Sequence, residues 1–173
     1  MDINFDKNVF EYIYKQKYTD ALNYIESSLQ VEMEDRCTLY ILRLVVYQYM
    51  EDKDQVLKLM QQFSSECTGN FSLRARQHLE FKEYKKAECF FELAYIYEII
   101  EDTTWSRDII LPLWAYTLCK LKKFEKASEV IKRESTLLKD ETTMFFTEKD
   151  FSYVTKDDIY SAIDNQSTYF PRA

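Results

Sequence analysis

The chain carries one histidine, His78, so any Ser-His-Asp or Cys-His nucleophile would have to be built on it. No serine or cysteine motif surrounds His78, and its spacing puts it on a helix face turned towards a neighbouring helix, where it reads as a packed side chain. The four cysteines, Cys37, Cys67, Cys89 and Cys119, form no CxxC pair. With one imidazole and scattered thiols, a structural zinc site has no ligand set. The lone glycine, Gly69, excludes a glycine-rich phosphate cradle. Acidic pairs occur at Glu34-Asp35, Glu51-Asp52, Glu101-Asp102 and Asp157-Asp158, in expected connectors or helix starts, where carboxylates are solvated or complement the helix dipole. General acid–base work needs burial to move a pKa, and nothing in the pattern supplies it. The basic groups Lys82-Lys85-Lys86 and Lys120-Lys122-Lys123 could line up as one stripe, but lysines at helix C-termini are favourable on dipole grounds alone. The reading is of no enzyme, no catalytic residue, no metal and no cofactor.

The elements that would carry these residues are helices. Apolar residues recur at helical spacing almost throughout. Phe5, Val9, Tyr12 and Ile13 mark a first helix, and Ala21, Leu22, Ile25 and Leu29 a second with Thr19-Asp20 as capping residues. Residues 39–50 form a third and Val56, Leu57, Met60 and Phe63 a fourth. A loop around Gly69 follows, then helices near 72–82, 84–101, 106–121 and 124–138. Pro112 either kinks the third of these or marks a later start. Thr155 and Asp158 open a short helix through Ile163, in a polar tail with scattered aromatics. With one Gly and two Pro, the chain has little material for tight turns and reads as helices on short polar connectors.

Net charge is −7 with 30 acidic and 23 basic residues, which argues against nucleic acid and anionic membrane as first partners. The longest apolar run, 89–100, contains Glu92 and Glu98 and is too short to span a bilayer; a central buried helix is the better reading. No signal peptide opens the chain, so the sequons Asn70-Phe71-Ser72 and Asn165-Gln166-Ser167 carry little weight. Reduced thiols and an intracellular location, cytoplasmic or nuclear, are expected.

Three segments share a pattern of charged residue, aromatic, two polar residues and alanine: Lys17-Tyr18-Thr19-Asp20-Ala21, Glu83-Tyr84-Lys85-Lys86-Ala87 and Lys123-Phe124-Glu125-Lys126-Ala127. A weaker copy, Lys53-Asp54-Gln55-Val56, puts valine in the alanine place. The markers at 21, 56, 87 and 127 are 35, 31 and 40 residues apart, the range of helical-hairpin repeats. The aromatic packs into the turn between two helices, and the alanine lets the second lie close to the first. One hairpin cannot bury its own apolar face, so several stack.

This pattern resembles the tetratricopeptide repeat, over residues 4 to about 138, whose period is about 34 residues. The large–small–large positions of the family's first helix correspond to Phe71, Ala75 and His78, and to Leu111, Ala115 and Leu118. In the first unit Val9 stands at the small position between Phe5 and Tyr12, and in the second Leu44 stands between Tyr40 and Tyr47. The small-position Gly and the closing Pro of the family are absent. Pentatricopeptide and proteasome-lid-like repeats share much of the pattern.

The resemblance implies an all-α, right-handed α-α superhelix of about four hairpins over residues 1–139. Residues 140–173 then form a tail with a short capping helix that packs as an end cap or stays mobile. It implies that first helices line a concave groove, here Phe10, Ile13, Tyr14, Ile41, Val45, Gln48, Tyr49, Arg76, Leu79, Tyr116 and Lys120. That groove is apolar and aromatic, and it lacks the Lys and Asn set with which chaperone co-factors clamp a carboxylate. The same residues suit either an open groove or a core filled by the chain's own tail, with Phe145, Phe146 and Phe151 as fillers. The function implied is a protein-binding scaffold or assembly subunit that holds a partner's amphipathic helix or peptide. Self-association as a homodimer, as in tetratricopeptide subunits of the anaphase-promoting complex, belongs to the same reading. The rival is a pentatricopeptide-like RNA reader, which would need polar base-reading pairs where these helices carry apolar residues.

Overall fold

The computed structural model describes residues 5–28, 36–62, 71–100, 107–133 and 156–170. Every regular element among them is an α-helix. The chain divides into two compact units, Met1–Gly69 and Asn70–Ala173.

The first unit holds α1 (Phe5–Tyr14), α2 (Tyr18–Ser28), α3 (Arg36–Tyr49) and α4 (Lys53–Gln61). α1 packs on α2, α2 on α3, α3 on α4, and α1 also reaches α3. Their apolar stripes meet in a core of Val9, Phe10, Ile13, Ala21, Ile25, Ile41, Leu44, Val45 and Val56. Val9 and Leu44, the bulky residues at the small position, are fully buried there.

The second unit holds α5 (Phe71–Glu80), α6 (Tyr84–Ile100), α7 (Arg107–Lys120), α8 (Phe124–Lys132) and α9 (Lys156–Asp164). α6 lies between α5 and α7, and α7 packs also on α8 and α9. This explains why α6 and α7 are apolar on most faces: each is covered from several sides. Phe90, Phe91, Leu93, Leu111, Trp114, Ala115 and Leu118 fill the centre, with Ile159, Ala162 and Phe170 added from the end of the chain. Pro112 sits inside α7, five residues after its start at Arg107, so it marks no later start. Its missing N–H leaves the Asp108 carbonyl without the usual intrahelical bond.

The turns are built without glycine. Gln16, Glu51, Lys82 and Lys122 take left-handed φ values of 57°, 59°, 58° and 60°. Each closes the preceding helix with the same pair of main-chain bonds. After α1, Gln16 donates to the Ile13 carbonyl and Lys17 to that of Tyr12, both at 2.9 Å. After α5, Lys82 donates to Leu79 at 2.9 Å and Glu83 to His78 at 2.8 Å. The pairs after α3 and α7 are Glu51 to Gln48 with Asp52 to Tyr47, and Lys122 to Cys119 with Lys123 to Leu118. These are Schellman closures, and the next helix begins two residues after each left-handed residue. Ala21, Val56, Ala87 and Ala127 each follow that residue by five positions, and all four are buried. The expectation that a Gly-poor chain makes few tight turns is therefore corrected: polar residues take the left-handed position at a conformational cost of about 1 kcal/mol each.

Other expectations are adjusted as well. Thr19 and Asp20 lie inside the first turn of α2, which begins at Tyr18, so neither is its N-cap. Asp52 does cap α4, its side chain accepting from the Gln55 N–H at 3.1 Å. Cys89 and Cys119 are free and buried, but Cys37 is disulfide-bonded to a partner outside the described residues. Reduced thiols throughout do not hold, and the step from reduced thiols to an intracellular location loses this cysteine. Thr155, Phe145, Phe146, Phe151 and the expected continuation of the eighth helix to 138 lie outside the described residues. No described helix is long and apolar enough to cross a membrane.

Candidate binding surface

The expected groove residues fall into two groups by burial. Phe10, Ile13, Ile41, Val45, Leu79 and Tyr116 are core residues of their own units. Tyr14, Gln48, Tyr49, Arg76 and Lys120 keep surface within reach of a partner.

In the first unit α1 and α3 bring three rings together. Phe10 lies 5.9 Å from Tyr14 and 6.5 Å from Tyr49, and Tyr14 lies 6.4 Å from Tyr49, the two Tyr49 pairs meeting edge to face. Phe10 is buried beneath, while Tyr14 is 52% exposed. Tyrosines with one apolar flank and one wet edge suit recognition.

In the second unit the corresponding place is covered by the chain itself. The ring of Phe170 meets that of Tyr116 edge to face at 4.6 Å. The Lys120 ammonium lies 4.8 Å from the Phe170 ring centre and 5.3 Å from that of Tyr116. It also donates to the Thr168 carbonyl at 3.0 Å. Burial, followed by the charge of Lys82, lowers the Lys120 pKa, against a smaller opposite effect from Cys119. Burial and then Tyr84 push the Tyr116 phenol well up. Burial likewise raises the Cys119 thiol to about 11, so it is protonated and unreactive at neutral pH.

A second charged cluster joins α6 to α8. Glu88, only 8% exposed, accepts from Lys123 at 2.6 and 2.8 Å and from Lys126 at 3.3 Å. Lys126 also reaches Glu92 at 3.3 Å and lies 5.5 Å over the Trp114 ring. Burial lowers the Lys126 pKa, but Glu92 and Glu88 outweigh it and the net shift is upward. Thus part of the expected basic stripe is consumed within the fold. Reading the sequence missed Glu88, which stands immediately before the longest apolar run; its one signal is the 35-residue separation from Lys123, close to a repeat period.

His78 is packed, as its position suggested. Its ring stacks on Phe90 at 5.1 Å and 16°, and Nδ1 lies 2.7 Å from Glu83 Oε2. The ionised carboxylate only accepts, so Nδ1 carries the proton. Glu83 also accepts from Lys86 at 2.7 Å. Burial dominates and lowers the His78 pKa despite Glu83. These groups staple the turn between α5 and α6. Among the described residues no group of three or more His, Cys, Asp or Glu could hold a metal ion.

No protein-family model, curated protein or solved structure matches the chain.

Proposed function

We propose that this chain is a non-catalytic helical-repeat module of tetratricopeptide-like build, four hairpins in a right-handed superhelix, that holds another protein. The observation that carries the reading is the turn register: between α1 and α2, α3 and α4, α5 and α6, and α7 and α8 one Schellman closure recurs, each time five residues before a buried alanine or valine, while a fifth closure at Gln166, after α9, leads into no described helix. Unrelated helix pairs have no reason to share that offset, whereas repeats that stack through the same positions do. The exposed edges of Tyr14 and Tyr49, with Gln48 beside them on α3, form the binding edge in the first unit. Arg76 and Lys120 contribute in the second. The partner is an amphipathic helix or an extended peptide, and a second copy of the chain is the first to test.

The test is solution mass by light scattering over a concentration series, for wild type and Tyr49→Ala. A dimer that the substitution dissociates, with helicity unchanged, supports self-assembly through this edge. A monomer in both, together with failure of immobilised wild type to retain any protein that Tyr49→Ala does not, counts against it.

A further inference from the structure

We propose that the Tyr116–Lys120 face of α7 is a recognition site for an extended segment bearing an aromatic ring and a carboxylate, held closed in this chain by its own residues 167–170. The inference rests on the protein-binding reading above and specifies its ligand.

Three observations carry it. The covering segment is ligand-like: residues 167–170 have no regular structure, and Phe170 at 3% exposure stands beside Tyr169 at 73%. One ring is inserted while its neighbour points to water, as a single anchor does in a peptide complex. Its polar contact to α7 is a main-chain one, the Thr168 carbonyl on Lys120, which any extended segment could reproduce. Finally, the site is left electropositive. Lys86, Lys123 and Lys126 each meet a carboxylate. Among the described residues Lys120 and Lys82 meet none, and the two cations are close enough to disfavour each other's charge. A neutral carbonyl therefore answers an ammonium that a carboxylate would satisfy better. An incoming segment that keeps the ring and adds the acid outcompetes the resident one.

The probes are two labelled, amide-ended peptides of residues 164–170, one of native sequence and one with Thr168→Asp. The full chain is used as wild type, as Phe170→Ala and as Phe170→Ala with Lys120→Met. The native peptide is expected to bind Phe170→Ala about tenfold more tightly than wild type, whose site is filled. The acidic peptide is expected to bind more tightly still at low salt, to lose that advantage at high salt, and to lose most of its binding with Lys120→Met. Equal affinity for wild type and Phe170→Ala, or an acidic peptide no tighter than the native one, overturns the proposal. Where Phe170→Ala loses helicity, a 4-fluorophenylalanine at position 170 of the otherwise wild-type chain decides. Its ¹⁹F signal should move to the solvent position as acidic peptide is added, and a signal unmoved by the peptide overturns the proposal. Displacement by oligouridylate and by neither peptide overturns it in favour of nucleic acid. Self-association through Tyr49 is unaffected by any of these results, so this site can fail while the repeat reading stands.

Discussion

Lys82 and Lys122 hold backbone angles that lysine disfavours and glycine does not. Each closes its helix through main-chain bonds alone, so the side chain adds nothing to the turn. Lys82→Gly and Lys122→Gly should each stabilise the protein by about 1 kcal/mol, seen as a higher urea midpoint at unchanged slope. Lys58→Gly, in an exposed position inside α4, should lose about the same amount. His78 and Glu83 both make stability fall as pH falls, in two successive ranges. The folded His78 has a pKa below 6.5, so as pH falls past 6.5 the unfolded chain takes up a proton that the folded chain does not. Stability should fall there, levelling off below the folded pKa, and His78→Phe should flatten that part of the stability–pH curve. For Glu83, burial raises the pKa but the bonds from Lys86 and His78 outweigh it and bring it below 4.5. Its contribution is present above pH 4.5 and lost as pH falls through the folded value. An NMR titration of the single imidazole, with a midpoint below 6.5, checks the first half.

At the scale of elements, the join between α6 and α8 runs through Glu88. Glu88→Gln should cost about 2 kcal/mol, as expected for hydrogen bonds between charged groups that are partly shielded from water. Because Lys123 and Lys126 stay half exposed, part of that loss should shrink in high salt; urea titrations at two ionic strengths measure both. Helix positions were readable because the apolar stripes of α1, α2, α4 and α8 are strong, and the start of α9 was signalled by Asp157 and Asp158. The marker positions were readable because each alanine must be small where two helices touch. The turns were misread because the requirement there is a backbone angle, which polar residues met without glycine. Phe170 against Tyr116 was invisible for another reason: nothing in a ring 54 positions downstream says which face it covers. The tail was anticipated as a filler, but the aromatic found in place is Phe170.

At the scale of the molecule, both tryptophans, Trp105 and Trp114, belong to the second unit. Indole fluorescence therefore reports that unit alone, while far-UV circular dichroism reports both. Repeat arrays hold together through nearest-neighbour interfaces, so the two signals should follow different urea curves. Coincident curves would show one cooperative block and would count against an array of semi-independent units. Apolar surface remains at the turns, where Phe81 is 75% exposed beside Lys82.

The recurring turn has a further consequence for how such a chain can be edited. Residues 82 and 122 share one backbone conformation and one bonding scheme to the helix before them. A gene recombined so that residue 82 is followed by 123 would remove forty residues, the difference between those two numbers, yet present no unfamiliar angle at the splice. Whole helix pairs can thus be deleted or duplicated at this joint, and what limits the length of such proteins is the fit of side chains across the new neighbours, since the backbone already matches.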